Sequence, residues 1–254
     1  MLNLHELSWA GAKKYFQSHD IALLPVGSTE QHGPQNPLGT DHLIARCLAE
    51  EAAKRTKVVC LPTVPFGVSS HHRQFWGTVH VKPETFKAYV RDICISLKYY
   101  GARKIVVVNG HGGNTPCLAG LARELRERKE IFVSIFIWWE VARKRLPKIF
   151  SEEELGHAAA EETSVNLVLH PRLVNMNKAV DEKPSRPFFD ASSFGVNYRL
   201  DTADYTSSGV FGTSTTASVK KGKKIFEVAV EELVKHIKAV KKSKIDDLLP
   251  EPLV

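Results

Sequence analysis

Short, mainly apolar runs alternate with amphipathic stretches along this chain. The runs 21–26 (IALLPV), 58–61, 104–108 and 131–138 are rich enough in Val, Ile and Leu to read as strands buried on both faces. Helical spacing follows each of them. A helix is expected over 41–55, with Thr40 as its N-cap. Another opens at Pro83, carries the stripe Phe86, Val90, Ile93 and Leu97, and closes at Gly101. Further helices are expected over 116–129, 158–169 and 217–241. Strands alternating with helices predict an α/β fold with a largely parallel sheet covered on both faces. No repeat or linker divides the sequence, so residues 1–254 are expected to form one domain. In such folds ligands bind at the carboxyl ends of the strands.

Loops at those ends hold the polar residues that stand out. The first is Gly27-Ser28-Thr29-Glu30-Gln31-His32-Gly33-Pro34, closed by Gly39-Thr40-Asp41. On extended backbone Glu30 and His32 point to the same side, and Asp41 lies at a helix start, where a carboxylate is favoured. The second is Asn109-Gly110-His111-Gly112-Gly113-Asn114, which follows the most apolar strand. It lacks the spacing of a dinucleotide fingerprint and the Gly-Lys-Ser/Thr of a P-loop, so a rigidly held ligand or catalytic histidine suits it better than a phosphate. The third is Gly156-His157-Ala158-Ala159-Ala160-Glu161-Glu162-Thr163-Ser164. Glu162 shares a helical face with Val165 and Leu169, and Glu161 with Val165 and Val168, so spacing leaves both open as the inward carboxylate.

Carboxylates and histidines without cysteine suit Zn²⁺, Mn²⁺ or Fe²⁺. Three carboxylates also suit two ions with one carboxylate bridging, which is a site for hydrolysis of an amide by a metal-activated hydroxide. Of the eleven histidines, seven (His32, His42, His71, His72, His80, His111 and His157) lie in or beside such loops.

Composition narrows the partners. Hydrophobic residues at 43% and charged residues at 25% exclude wholesale disorder. No apolar run reaches the roughly 18 residues of a membrane span, and the N-terminus lacks the order of a signal peptide. The four cysteines show no C-x-x-C and read as buried free thiols, so a cytoplasmic location is expected. The net charge of +7 raises nucleic acid as a partner. However, residues 220–244 hold nine lysines against three glutamates, a net of +6, so the excess lies on one C-terminal helix. A solvated lysine face is the simpler meaning, and no nucleic-acid or membrane partner is expected.

The runs GSTEQHGPQNPLGTD, NGHGGN and GHAAAEETS, in this order and spacing, resemble the creatininase (creatinine amidohydrolase) family. PFGVSSHHRQFWGTVHV is similar to the family's substrate loop, and SSGVFGTSTTASVKKGKKI to its C-terminal glycine-containing segment. The resemblance spans about residues 20 to 235 and implies a three-layer αβα sandwich, two divalent ions, a small-molecule amide substrate and a homo-oligomer, commonly a hexamer. It implies Glu30, Asp41 and His111 as ligands of one ion, and His32 and the bridging Asp41 as ligands of the other. It also implies His157 as proton shuttle, and Ser69, His72, Gly112 and Trp139 on the substrate. Creatinine-hydrolysing members carry a ligand Glu two residues beyond the loop histidine, where this chain has Gly113, so Glu162 is expected to complete the second set. They also carry a Trp shortly before the histidine matching His157, where this chain has Glu152-Glu153-Glu154, leaving Trp138 and Trp139 as a partial aromatic wall. Gln35 and His71 stand where many relatives have His and Glu. The resulting expectation is an amidohydrolase cleaving a cyclic amide or formamide, with His157 or Glu162 passing the proton to the leaving nitrogen. Alternatives are a formamidopyrimidine ribotide deformylase of flavin-type cofactor synthesis, and a non-catalytic metal- or nucleic-acid-binding member.

Overall fold

The apolar runs pair into one sheet in the computed structural model, which describes residues 2–146, 148–185 and 199–249. In chain order, α1 (Trp9–Phe16) precedes β1 (Ile21–Val26), and α2 (Thr40–Thr56) leads to β2 (Val59–Cys60). Then α3 (Pro83–Tyr99) leads to β3 (Lys104–Asn109), and α4 (Thr115–Glu127) to β4 (Phe132–Ile137), which runs directly into α5 (Trp138–Arg145). After these come α6 (Ala160–Leu169), a small antiparallel pair of β5 (Asp181–Glu182) and β6 (Gly212–Thr213), α7 (Val219–Lys242) and α8 (Ile245–Leu248).

The main sheet has the order β2-β1-β3-β4, all parallel. Because side chains alternate along a strand, each strand feeds two cores. Ile21, Leu23, Val106 and Val108 pack with α2, α6 and α7 on one face. Ala22, Leu24, Ile105 and Val107 pack with α3 and α4 on the other. This is a three-layer αβα sandwich with a parallel central sheet.

Some details differ from the sequence reading; of the four thiols expected to be buried, Cys47 and Cys117 are only half-buried. Thr40 is the first residue of α2 and not its cap; Gly39 holds that position, and the Thr40 hydroxyl donates to the Pro37 carbonyl at 2.8 Å. The apolar run 131–138 does not stay extended: Trp138 begins α5 and is buried in the core.

The connections from β1 to β2 and from β3 to β4 run to opposite sides of the sheet. The switch point therefore lies between β1 and β3, which are in register from Ile21–Lys104 to Val26–Asn109. A crevice opens where the chain leaves both strands, at Gly27 and Gly110. There the Gly110 N–H donates to the Val26 carbonyl at 2.8 Å, and α2 begins against both loops. A Cβ at Gly110 would lie 2.2 Å from the Asp41 carbonyl oxygen, and one at Gly27 would lie 2.4 Å from the His42 nitrogen. At Gly112 a Cβ would meet nothing within 4 Å. Accordingly, in urea unfolding Gly110→Ala is expected to lose about 1–3 kcal/mol, whereas Gly112→Ala should stay within about 0.5 kcal/mol of the parent. Equal effects would contradict the packing of α2 on this loop.

Candidate metal centre and active site

Four chain segments meet at the switch point. The β1 loop brings Glu30 and His32, the start of α2 brings Asp41, the β3 loop brings His111, and the first turn of α6 brings Glu162. Glu30, His32, Asp41 and His111 are buried. His111 Nδ1 lies 3.2 Å from Glu30 Oε1 and 3.0 Å from Asp41 Oδ2. His32 Nε2 lies 3.0 Å from Asp41 Oδ1 and 3.7 Å from Glu162 Oε2. These atoms form two sets able to hold a cation, Glu30/Asp41/His111 and His32/Asp41/Glu162, with Asp41 in both. A third grouping joins Glu30 and His32 to His157.

The far side of each ring fixes its tautomer. His111 Nε2 donates to the Val68 carbonyl at 3.0 Å, and His32 Nδ1 to the Glu30 carbonyl at 3.2 Å, so each presents its other nitrogen to the carboxylates. Both oxygens of Glu30, Asp41 Oδ2 and His32 Nε2 are buried yet make no hydrogen bond. Carboxylates buried this way are balanced only by protons or cations, and their oxygen–imidazole chemistry fits divalent ions.

Electrostatics say the same. Burial pushes Glu30 above the usual carboxylate range, and burial together with Asp41 pushes Glu162 up to about 7. Burial alone would lower His32, but Asp41 and Glu162 raise it to about 10. Asp41 is held well below the usual range against the cost of burial, by His32 and His111. His157 is held well below its ordinary value by burial and by His32, and is neutral at pH 7.

The cavity above these groups has a volume of about 380 Å³. His72, Gly112, Trp139, His157 and Glu162, all singled out from sequence, line it. Ser69 does not; it is buried, and its hydroxyl accepts from Ser28 at 2.9 Å. His71 also lines the cavity, whereas His80 is exposed and His42 folds back on Gly39. Gln35 is occupied elsewhere, donating to the Ala158 carbonyl at 2.7 Å. Glu154, in place of the family's tryptophan segment, pairs with Lys221. Phe211, Thr202 and Arg143 complete the wall and were not singled out from sequence. Trp139 and Arg143 are one helical turn apart, a signal hidden by reading 131–138 as strand alone.

Gly113 also finds its reason here. A Cβ at that position would lie 2.2 Å from the Val68 carbonyl oxygen and 2.4 Å from His111 Nε2. A glutamate therefore has no room at this backbone, and Glu162 approaches from α6 instead.

The protein is thus an open parallel α/β sheet with donor sets for divalent ions at its switch point. A family model described as creatinine amidohydrolase matches residues 5–237, and the chain belongs to this creatininase family of amidohydrolases. It is 28% identical to the creatinine amidohydrolase of Pseudomonas putida, over 92% of this chain and 95% of that one. It is 30% identical to a mycofactocin precursor peptide peptidase of Mycobacterium ulcerans, over 92% and 91%. A deformylase of Methanocaldococcus infernus acting on 2-amino-5-formylamino-6-ribosylaminopyrimidin-4(3H)-one 5'-monophosphate is 29% identical, over 65% and 66%. Among solved structures, a creatinine amidohydrolase superposes with a TM-score of 0.80 at 27% identity, covering 96% of this chain and 99% of that one. A mutant creatininase of Zn–Zn type gives 0.80 at 27%, covering 95% and 98%.

The two adjacent glutamates of α6 separate cleanly. Glu161 turns from the cluster and takes Arg143 Nη2 at 2.7 Å, whereas Glu162 faces His32. Glu162→Gln is therefore expected to lower the divalent ion retained after dialysis, and Glu161→Gln to retain the parent content, both read by elemental analysis. The reverse order would contradict the assignment of Glu162.

Proposed function

We propose that this chain hydrolyses a small non-peptide amide, a cyclic amide or a formamide, at a centre of two divalent ions. The observation that carries this reading is the sharing of Asp41 by two donor sets, Glu30/Asp41/His111 and His32/Asp41/Glu162. The Zn–Zn type of a 27% identical creatininase structure supports the count of two and, for this chain, zinc, with manganese or iron as the other candidates. Ions bound there would polarise the amide carbonyl and lower the pKa of water.

The protein's own groups prepare and finish the reaction. Asp41 and Glu30 hold negative charge on the floor, while His32 and His111 are locked in the tautomers that face it. Gln31 Nε2 donates to His72 Nδ1 at 2.9 Å, which leaves His72 Nε2–H directed at Glu30 Oε1, 3.4 Å away. His157 Nε2 donates to the Gln31 carbonyl at 2.8 Å. Its Nδ1 lone pair then faces Glu30 Oε1 at 3.9 Å, so the neutral ring is free to take a proton and pass it to the leaving nitrogen. Glu162, in the wall of the same cavity, is the second group placed to carry that proton. Trp139 and Phe211 wall the cavity and exclude water from the substrate, with His72 and Gly112 beside it.

The same reading includes a cytoplasmic location and a homo-oligomer, commonly a hexamer. Four free thiols support the first. Exposed Trp9, Trp76, Tyr99 and Tyr100 support the second. Among the described residues no helix is long and apolar enough to cross a membrane.

The test is reconstitution with Zn²⁺ or Mn²⁺, followed by elemental analysis and assays on creatinine and on an N-formyl substrate. Asp41→Asn is expected to lose ion content and to cost more activity than the roughly 100-fold lost with an outer-shell partner. No stoichiometric ion in the parent, or a variant with full content and full activity, would overturn the reading.

A further inference from the structure

The wall of the metal-site cavity contains one Lys or Arg side chain among the described residues, Arg143. Its position is built. Arg143 Nε and Nη2 both donate to Oε2 of Glu161, at 3.1 and 2.7 Å. Glu161 is itself 1% exposed and lies in the first turn of α6, next to the metal-facing Glu162. A guanidinium has five N–H donors in a rigid plane. Two are spent on Glu161, so the two of Nη1 and one of Nη2 have no partner among the described residues. The Arg143 side chain is 38% exposed, at the cavity. One turn earlier on the same helix, Trp139 lines the same cavity.

A purely stabilising role explains this poorly. A carboxylate buried to 1% to hold one half-exposed arginine is costly to desolvate, and such pairs are often matched or bettered by apolar residues. Glu161 Oε1 is, moreover, left without a hydrogen bond. Fixing the plane of Arg143 is the return on that cost. A clamped guanidinium with a free donor edge in a small cavity is suited to planar, two-point binding of an anionic oxygen group.

We propose that Arg143 is a specificity-determining residue that binds an anionic oxygen group of the substrate, a carboxylate or a phosphate, while the scissile amide sits over the metal centre, and that Glu161 is the positioning residue that aims it. This rests on the proposed amidohydrolase function and narrows its substrate to anionic amides.

The test is equilibrium binding to the zinc-loaded protein of three probes, each verified intact after the measurement: N-acetylglycine, N-acetylaminomethylphosphonate and the neutral N-acetylglycinamide. Wild type is expected to bind at least one anion roughly ten- to hundredfold more tightly than the neutral amide. The favoured anion identifies the group as carboxylate or phosphate. Arg143→Gln should bring that ratio near one, and Arg143→Lys should keep part of it, because charge survives without the fork. Glu161→Gln should lower the ratio while metal content stays at the parent level, a combination that a merely structural pair would not produce. No anion preference in wild type, or a preference that survives in Arg143→Gln, overturns the proposal. Binding is read without turnover, so failure of the hydrolase reading would appear separately, as absence of metal or of amide cleavage.

Discussion

One backbone approach governs the site: the start of α2 is pressed against the ends of β1 and β3. Gly27 and Gly110 leave those strands so near to Asp41 and His42 that a side chain at either would strike the helix backbone. Asp41 is thereby carried between the Glu30 and His111 loops and reaches His32 as well, at 3.0 Å from both histidines. Its place at the helix start favours the ionised carboxylate. The sheet topology sets this geometry, because only at the switch point between β1 and β3 do two loops diverge and leave a crevice.

The charge on the floor follows from that packing. Glu30, Asp41 and Glu162 are drawn together at a cost that neighbouring histidines offset only in part, and burial raises Glu30 and Glu162 in response. His32 and His111 are each anchored by one nitrogen to a backbone carbonyl, which leaves the other nitrogen aimed at the carboxylates. Gln31 extends the order outward by bridging His72, Gly209 and the first loop. The donor set is thus held in shape by the protein's own hydrogen bonds, as precise ligand geometry requires.

Much of this was legible in the sequence, and the exceptions are physical. Buried parallel strands such as IALLPV and KIVVV announce themselves because both faces must be apolar. Glycine-flanked His111 and the Glu30/His32 pair stood out for the same reason: polar groups immediately after such strands have no packing role. The choice between Glu161 and Glu162 was not legible, since both lie in the first turn of α6 and both are drawn inward. Only the partners, Arg143 for one and His32 for the other, separate them. Arg143, one turn after the expected Trp139, was hidden because the apolar run of β4 continues into Trp138, and strand and buried helix share that signature. Phe211 and Thr202 come from loops whose pattern carries no period.

The basic balance of the chain takes its place in the same picture. Nine of its lysines lie in residues 220–244, on or beside α7, whose buried stripe of Ile225, Leu233 and Ile237 packs on the sheet. The metal-site floor is acidic. The account therefore stands on one claim, that a single carboxylate, Asp41, joins two cation sites. Crystals of the manganese-loaded protein, measured for anomalous scattering, test it directly. The expected result is two peaks a few ångströms apart, one on Glu30, Asp41 and His111 and the other on His32, Asp41 and Glu162. A single peak, or a pair that does not share Asp41, would contradict it.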